Sequence, residues 1–415
     1  MLFNLIRMKK SFFLLIATLL PMMAGAQGVQ GTWHGDLDLG VRKIPLVLHV
    51  DGNKCTMDSP NQGAKGIEAQ VNTITDDSVN VSFPTIGGSY EGRVADGKLS
   101  GTFTQMGYRL PLVMERGEMV RQRPQTPKPP YPYKTEEVTF VNEKDTATLA
   151  GTLTWPVGYE GKKKVPVVLM VSGSGLQNRD EELFDHKPFA VIADYLARQG
   201  IATLRYDDRG MGGSKGDVQR ATTVNFKDDA AAGIAFLRGM RKFSRVGVLG
   251  HSEGGTIAFM LAKEKKPDFI ITLAGTGIRG DSIVTEQTNF ILRQQGKPAT
   301  MTVKQMRLLM MMQKTNPWYD YFIDYDPADD IAHVTCPSLV LNGGKDSQVL
   351  TESNLSTIRS LLPPNKKSKI KEYPELNHLF QPCKTGAVDE YGEIEQTISE
   401  EVLHDIAEWI REVSP

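Results

Sequence analysis

Ser252 lies in Gly250-His251-Ser252-Glu253-Gly254, a G-x-S-x-G spacing placed between an apolar run and a helix-like pattern. A serine hydroxyl is a useful nucleophile only when a base removes its proton. It must also be exposed. Small residues on either side permit a strand-to-helix turn so tight that the serine is held in strained backbone geometry. Its hydroxyl then projects at the C-terminal edge of a sheet, near the positive end of the following helix. Glycine inside a strand or helix costs about 0.5–1 kcal/mol relative to alanine, and four of them, Gly247, Gly250, Gly254 and Gly255, surround this serine. The turn is the steric condition that makes that cost tolerable. The alternative is a glycine-rich structural turn that happens to hold a serine.

A base and an orienting carboxylate are required next. His34 and His49 fall in an N-terminal β-rich region, His251 stands beside the nucleophile and is expected to aim into the core, and His404 sits in the final amphipathic stretch. His378, in "YPELNHLF", follows the last expected strand, so it shares the sheet edge of Ser252; as a surface-loop residue it would have no such role. Asp346 follows "SLVLNGGK" at another strand end, and its alternative is to cap the helix beginning near Thr351. The order Ser252, Asp346, His378 is that of a serine-carboxylate-histidine triad on an α/β sheet. An oxyanion hole needs backbone N–H groups aimed at the developing charge. Glu253 is expected to supply one and Ser174, in "SGSGL", the other, with Gly175 as second choice and as a substrate contact.

These residues need a sheet to place them. Short apolar segments alternate with helical stretches: Val165–Ser172, Ile201–Tyr206, Arg245–Gly250, Phe269–Ala274, Pro337–Gly343 and Lys369–Pro374. Such strands read as buried on both faces of a mostly parallel α/β sheet. "VTFV" and "TATLAGTLTW" predict an antiparallel pair ahead of it. Between about 277 and 333 the alternation breaks, predicting a helical cap insertion. Met310–Met312 and the aromatic residues Trp318, Tyr319, Tyr321 and Phe322 give it an adaptable apolar surface; Trp318 and Tyr321 are expected to contact substrate. The alternative is that these side chains only fix the insertion to the sheet.

Upstream, residues 27–120 alternate apolar and polar in "KIPLVLHV", "SVNVSF", "KLSGTFTQ" and "YRLPLVME". A small β-barrel or sandwich domain is expected, with Trp33, Phe83 and Phe103 in its core. Asp36, Asp38 and His49 there read as a solvated strand face rather than a metal site. Residues 121–135 hold five prolines and read as an extended, semi-rigid linker. The α/β domain then spans 136–415.

The chain has 415 residues, 23% of them charged, with a formal net charge of −1, which gives no nucleic-acid footprint. Arg7, Lys9 and Lys10 precede the apolar run Ser11–Ala24, and Ala24-Gly25-Ala26 offers a cleavage site. This predicts a signal peptide over 1–26, a mature start at Gln27, a periplasmic or secreted location and no membrane span afterwards. Cys55, Cys336 and Cys383 are no disulfide framework, although a Cys336–Cys383 bridge is conceivable in an oxidising compartment. Neither a dinucleotide fingerprint, a P-loop nor a metal-ligand motif is present, so no cofactor is expected.

From Glu136 onward, "SGSGLQNRD", "RYDDRGMGGS", "GHSEGG", "LNGGKD" and "NHLF" fall in the order found in the α/β-hydrolase superfamily. The chain resembles exported bacterial carboxylesterases and the serine aminopeptidase and acyl-peptidase group. It departs from many of them in having Ser172-Gly173 where they have His-Gly. The resemblance implies a nucleophile at Ser252, an acid at Asp346 and a base at His378, acting on a small-molecule ester such as an acylated sugar or peptide. A peptidase with the same triad is the first rival, favoured if the acidic group Asp324, Asp326, Asp329 and Asp330 faces the site. The second is a surface- or glycan-binding module with an accessory hydrolase fold. The N-terminal β-domain resembles a module found ahead of such hydrolases.

Overall fold

Alternation of apolar and polar residues builds the first unit of the fold. In this computed structural model, which describes residues 28–40, 43–62, 64–312 and 315–415, nine strands follow one another: β1 (Gly31–Asp38), β2 (Lys43–Asp51), β3 (Lys54–Ser59), β4 (Ala64–Glu68), β5 (Gln70–Ile74), β6 (Ser78–Phe83), β7 (Gly88–Ala95), β8 (Lys98–Gln105) and β9 (Tyr108–Arg116). They form one antiparallel sheet in the order β4-β3-β2-β1-β9-β8-β7-β6-β5. The strands at its two ends, β4 and β5, are consecutive in the chain and separated by Ala69 alone. The sheet therefore curls back on itself, barrel-fashion, around one core. That core takes every second residue: Val79, Val81 and Phe83 from β6, Leu99 and Phe103 from β8, Leu112 and Met114 from β9, with Trp33. His49 faces Thr32 and Asp58 across the sheet, its Nε2 3.2 Å from the Asp58 carboxylate.

The expected leader and its cleavage point at Gln27 lie outside the described residues. The chain divides into two compact units, with the change at Met119/Val120. Residues 121–135 are not a free spacer. The Arg123 guanidinium donates to the carbonyls of Phe184, Gly392 and Ile394, and the Gln125 side chain donates to Ile398 C=O while accepting from the N–H groups of Thr397 and Ile398. Proline content sets the extended backbone, but these side chains fix it onto the second unit.

That unit is an eight-stranded sheet: β10 (Thr135–Asn142), β11 (Ala147–Thr154), β12 (Val165–Val171), β13 (Ala202–Tyr206), β14 (Phe243–His251), β15 (Phe269–Leu273), β16 (Ser338–Gly343) and β17 (Lys369–Tyr373), in the order β10-β11-β13-β12-β14-β15-β16-β17. Pairings from β13 through β12 to β17 are parallel; β10 and β11 run antiparallel at the edge. Along β12, Val167, Leu169 and Val171 enter one core while Val168 and Met170 enter the other, as a strand buried on both faces requires. Helices α1 (Pro188–Arg198) and α9 (Glu400–Val413) cover the second core; α2 (Thr223–Gly239), α3 (Glu253–Lys263) and α8 (Thr351–Leu361) cover the first. In α9, Val402, Ile406, Trp409, Ile410 and Val413 recur at helical spacing and are buried, and Trp409 meets Phe269 edge-on at 5.7 Å.

Between β15 and β16 the chain forms four helices: α4 (Gly280–Gln294), α5 (Val303–Met311), α6 (Pro317–Asp324) and α7 (Ala328–Ala332). This is the helical insertion, with Met306, Met310 and Ile323 as its own small core. No helix among the described residues is long and apolar enough to cross a membrane. The three cysteines are free thiols, so Cys336 and Cys383 are unbridged: Cys336 packs against the first core, and Cys383 points its thiol at the Glu375 carbonyl.

Candidate active site

Parallel strands deliver their C-terminal ends to one edge, and the loops leaving β12, β14, β16 and β17 carry Ser174, Ser252, Asp346 and His378. At the end of β14, Ser252 has φ 53° and ψ −117°, a region that an L-residue occupies only when its surroundings enforce it. Its N–H donates to Leu273 C=O at 2.8 Å, and helix α3 starts at the next residue. The flanking glycines are steric requirements. A Cβ at Gly250 would lie 1.9 Å from the Gly254 carbonyl oxygen, and one at Gly254 would lie 2.1 Å from the Val171 carbonyl oxygen. Ser252 is partly exposed while His251 and Glu253 on either side are buried.

Asp346 and His378 meet. The Nδ1 of His378 is 2.7 Å from Asp346 Oδ2, and both side chains are buried. The other carboxylate oxygen, Oδ1, accepts the N–H groups of Gln348 and Val349 at 2.8 Å. Asp346 does not cap α8, whose N-cap is Leu350. With Nδ1–H held by the carboxylate, Nε2 is left as the proton acceptor. The loop around His378 is fixed by buried Asn377, whose Oδ1 accepts from the N–H groups of Leu379 and Gln381. The ring of His378 lies 4.7 Å from that of His251, the residue before Ser252.

The loop after β12 passes over the elbow. A Cβ on Gly173 would sit 3.2 Å from Ser252 Cβ. The Gly173 N–H is already given to Glu181 Oε1 at 2.7 Å, which leaves the N–H of Ser174 as the next one along the loop. The N–H of Glu253, first in α3, has no intrahelical acceptor. Gly175 is exposed, with φ 93°.

Three buried carboxylates surround this loop. Glu181 accepts from His251 and Gly173; Asp208 accepts from Ser172 Oγ and Gln177 N–H; Glu253 accepts from Thr223 Oγ1 at 2.6 Å, from Trp318 Nε1 at 2.9 Å and from the Ser174 side chain. Burial pushes Asp208 up to about 8 and raises Glu253 above its ordinary value. Sequence spacing does not reveal these partners, because Glu181 and Asp208 come from two separate loops and Thr223 from the start of α2. The only local signal is the acidic residue inside the G-x-S-x-G motif itself.

Trp318, on α6, thus reaches the residue after the nucleophile, and it stacks on Phe322 at 5.5 Å. Tyr321 is half-buried and stacks on Tyr325 at 5.5 Å; burial, with the Asp330 and Glu253 carboxylates nearby, raises its pKa. Three of the four acids of the insertion are ion-paired. Asp324 pairs with Arg279 and Arg307, Asp329 and Asp330 pair with Lys263, and Asp326 accepts from Ala328 N–H at the start of α7. Among the described residues no group of three or more His, Cys, Asp or Glu side chains is arranged to hold a metal ion.

Comparison with known proteins agrees with this construction. Residues 186–328 match the family described as serine aminopeptidase, S33, a span that contains Ser252 and ends before Asp346 and His378. Over 282 residues, 65% of this chain and 67% of the relative, the sequence is 26% identical to esterase EstD of Thermotoga maritima. Among solved structures, the esterase Pf2001 of Pyrococcus furiosus is similar at a TM-score of 0.49 and 17% identity, over 72% of this chain and all of that one. The α/β-hydrolase GrgF of a Penicillium species is similar at 0.48 and 15%, over 68% of this chain and 99% of that one. In its sheet order and its strand-to-helix elbow, the second unit has the α/β-hydrolase fold.

Proposed function

We propose that the protein is an exported serine esterase that cleaves small carboxylic esters through an acyl-enzyme. The observation that carries the reading is the 2.7 Å bond from His378 Nδ1 to Asp346 Oδ2 on the sheet edge that presents a strained Ser252. His378 Nε2 takes the Ser252 proton as Oγ attacks the ester carbonyl. The oxyanion is held by the N–H groups of Glu253 and Ser174. The imidazolium then protonates the leaving alcohol, and a water activated by the same ring releases the acid. Asp346 stays ionised throughout and holds the ring in its tautomer.

An ester is favoured over a peptide amine terminus because the acidic group of the insertion is paired with Arg279, Arg307 and Lys263. Of that group only Asp326, held by a backbone N–H, has no cationic partner among the described residues. The kinship with a protein called an esterase supports the same choice. The test is a fluorophosphonate label on Ser252 together with rates on p-nitrophenyl esters and aminoacyl amides. Faster turnover of the amides than of every ester would replace the reading with a peptidase. Export rests on the basic, apolar and small-residue order of residues 1–26; mass spectrometry of the native protein should find a start at or near Gln27, and an uncleaved N-terminus would overturn it.

A further inference from the structure

His251 carries more than the packing role expected of it. Its two ring nitrogens face two acceptors: Nδ1 lies 2.9 Å from Glu181 Oε1, and Nε2 lies 3.0 Å from the backbone carbonyl oxygen of His378. A backbone carbonyl can only accept, so Nε2 bears a hydrogen. The Glu181 oxygen that faces Nδ1 also accepts the Gly173 N–H at 2.7 Å, as an ionised carboxylate does. A hydrogen on Nδ1 as well completes both contacts. We infer that His251 is a buried imidazolium, and that the Glu181–His251 pair is a positioning device tying the oxyanion loop to the loop of the base on either side of Ser252.

The geometry makes each half of the device do separate work. Glu181 fixes Gly173, one residue before the oxyanion donor Ser174. His251 fixes the main chain of His378, so the imidazole is anchored at its own carbonyl as well as at Nδ1. Both partners are almost wholly buried, Glu181 at 2% and His251 at 5% exposure. The charged and titratable groups around the ring are Glu181, Asp346 and His378, and Glu181 in turn is one of the charges that raise Asp208. Burial opposes the positive form; the Glu181 carboxylate, the carbonyl of His378 and Asp346 favour it and prevail, holding the pKa above the ordinary histidine value. Loss of the Nδ1 proton would set a ring lone pair against a carboxylate oxygen at 2.9 Å. Glu181 would turn away and release Gly173, so the pair sets an alkaline limit on activity.

The inference about activity rests on the proposed role of Ser252 and His378; the charge on His251 does not, and the test separates them. Long-range proton–nitrogen spectra of the full chain with labelled histidine, assigned with His251→Gln, report the ring's protonation whatever the enzyme cleaves. Both nitrogens of His251 should be protonated at pH 7, and to a higher pH than those of the histidines in the urea-unfolded chain. A single protonated nitrogen at pH 7 overturns the inference. In rate profiles, Glu181→Gln should lower kcat by about 10-fold with little change in KM, a loss of alignment rather than of binding, and should move the alkaline limb of kcat/KM. Its wild-type profile unchanged in that variant would also overturn it. Labelled spectra of the wild type keep the charge assignment testable even if a variant fails to fold.

Discussion

Replacing Glu253 by alanine should damage stability and turnover together, in amounts the structure sets. The carboxylate receives hydrogen bonds from Thr223, Trp318 and Ser174. Thr223 is 2% exposed, so its hydroxyl is left without a partner, at a cost of about 1–3 kcal/mol. Trp318 is half-buried and Ser174 is exposed, so both turn to water and add less. Removing a carboxylate whose burial raises its pKa returns part of the loss. A net destabilisation of about 2 kcal/mol, or about 4 °C in Tm for a unit of this size, follows. The kinetic effect arises at Ser174, whose hydroxyl loses the anchor that aims its N–H. Outright removal of an oxyanion donor lowers kcat by about 10²–10³-fold, and misdirection of one should lower it by about 10-fold or more. Glu253→Gln keeps the shape and should lie between. The assay pairs calorimetry with p-nitrophenyl acetate and a bulky ester, since freeing Trp318 also loosens α6. Unchanged Tm and kcat in Glu253→Ala would refute the reasoning.

Ser252→Ala should lower kcat by about 10⁴-fold or more, read on p-nitrophenyl acetate with unchanged circular dichroism, and Asp346→Asn should lower it by about 10⁴-fold through the wrong tautomer of His378. Gly254→Ala puts a methyl 2.1 Å from the Val171 carbonyl oxygen, so it should unfold the elbow and yield insoluble or low-melting protein. Tyr321→Ala removes a ring stacked on Tyr325 and should change the ratio of kcat/KM between short and bulky esters; lower stability with a flat ratio would make α6 purely structural. His186, fully buried, is held down to about 4 from 6.5 by burial and by Arg123. The unfolded chain therefore takes up a proton between those values that the folded chain refuses, and stability should fall as pH drops through that window. Urea midpoints at pH 7 and 4.5 should show a smaller fall for His186→Gln than for the wild type.

The parallel strands were legible to within two residues at each end because burial on both faces makes them continuous apolar runs. Phe269–Ala274 was expected where Phe269–Leu273 forms, and Lys369–Pro374 where Lys369–Tyr373 forms. The β-rich unit was less legible. Four of its nine strands stood out; β4 and β5, at the ends of the order, expose most of their residues and carry little alternation. Ser252, Asp346 and His378 were readable because strand ends fix where loops emerge. Glu181 and Asp208 were not, since their meaning comes from which loops touch. His251 was read as core-directed, and it is buried; that its two nitrogens meet Glu181 and the His378 carbonyl follows only from tertiary packing.

The anchoring of Arg123 and Gln125 has a consequence for dissecting the chain. An expression boundary drawn at Glu136, where the sequence pattern changes, would leave the carbonyls of Phe184, Gly392, Ile394 and Ile398 without these donors, and the N–H groups of Thr397 and Ile398 without this acceptor. Those positions border Tyr391 and the start of α9, whose side chains fill the second core. A fragment beginning at Val120 keeps all of these bonds, so the smallest autonomous piece is longer than its catalytic sheet. Proteases should cut ahead of the anchored stretch rather than after it, leaving Arg123 and Gln125 on the fragment they clasp.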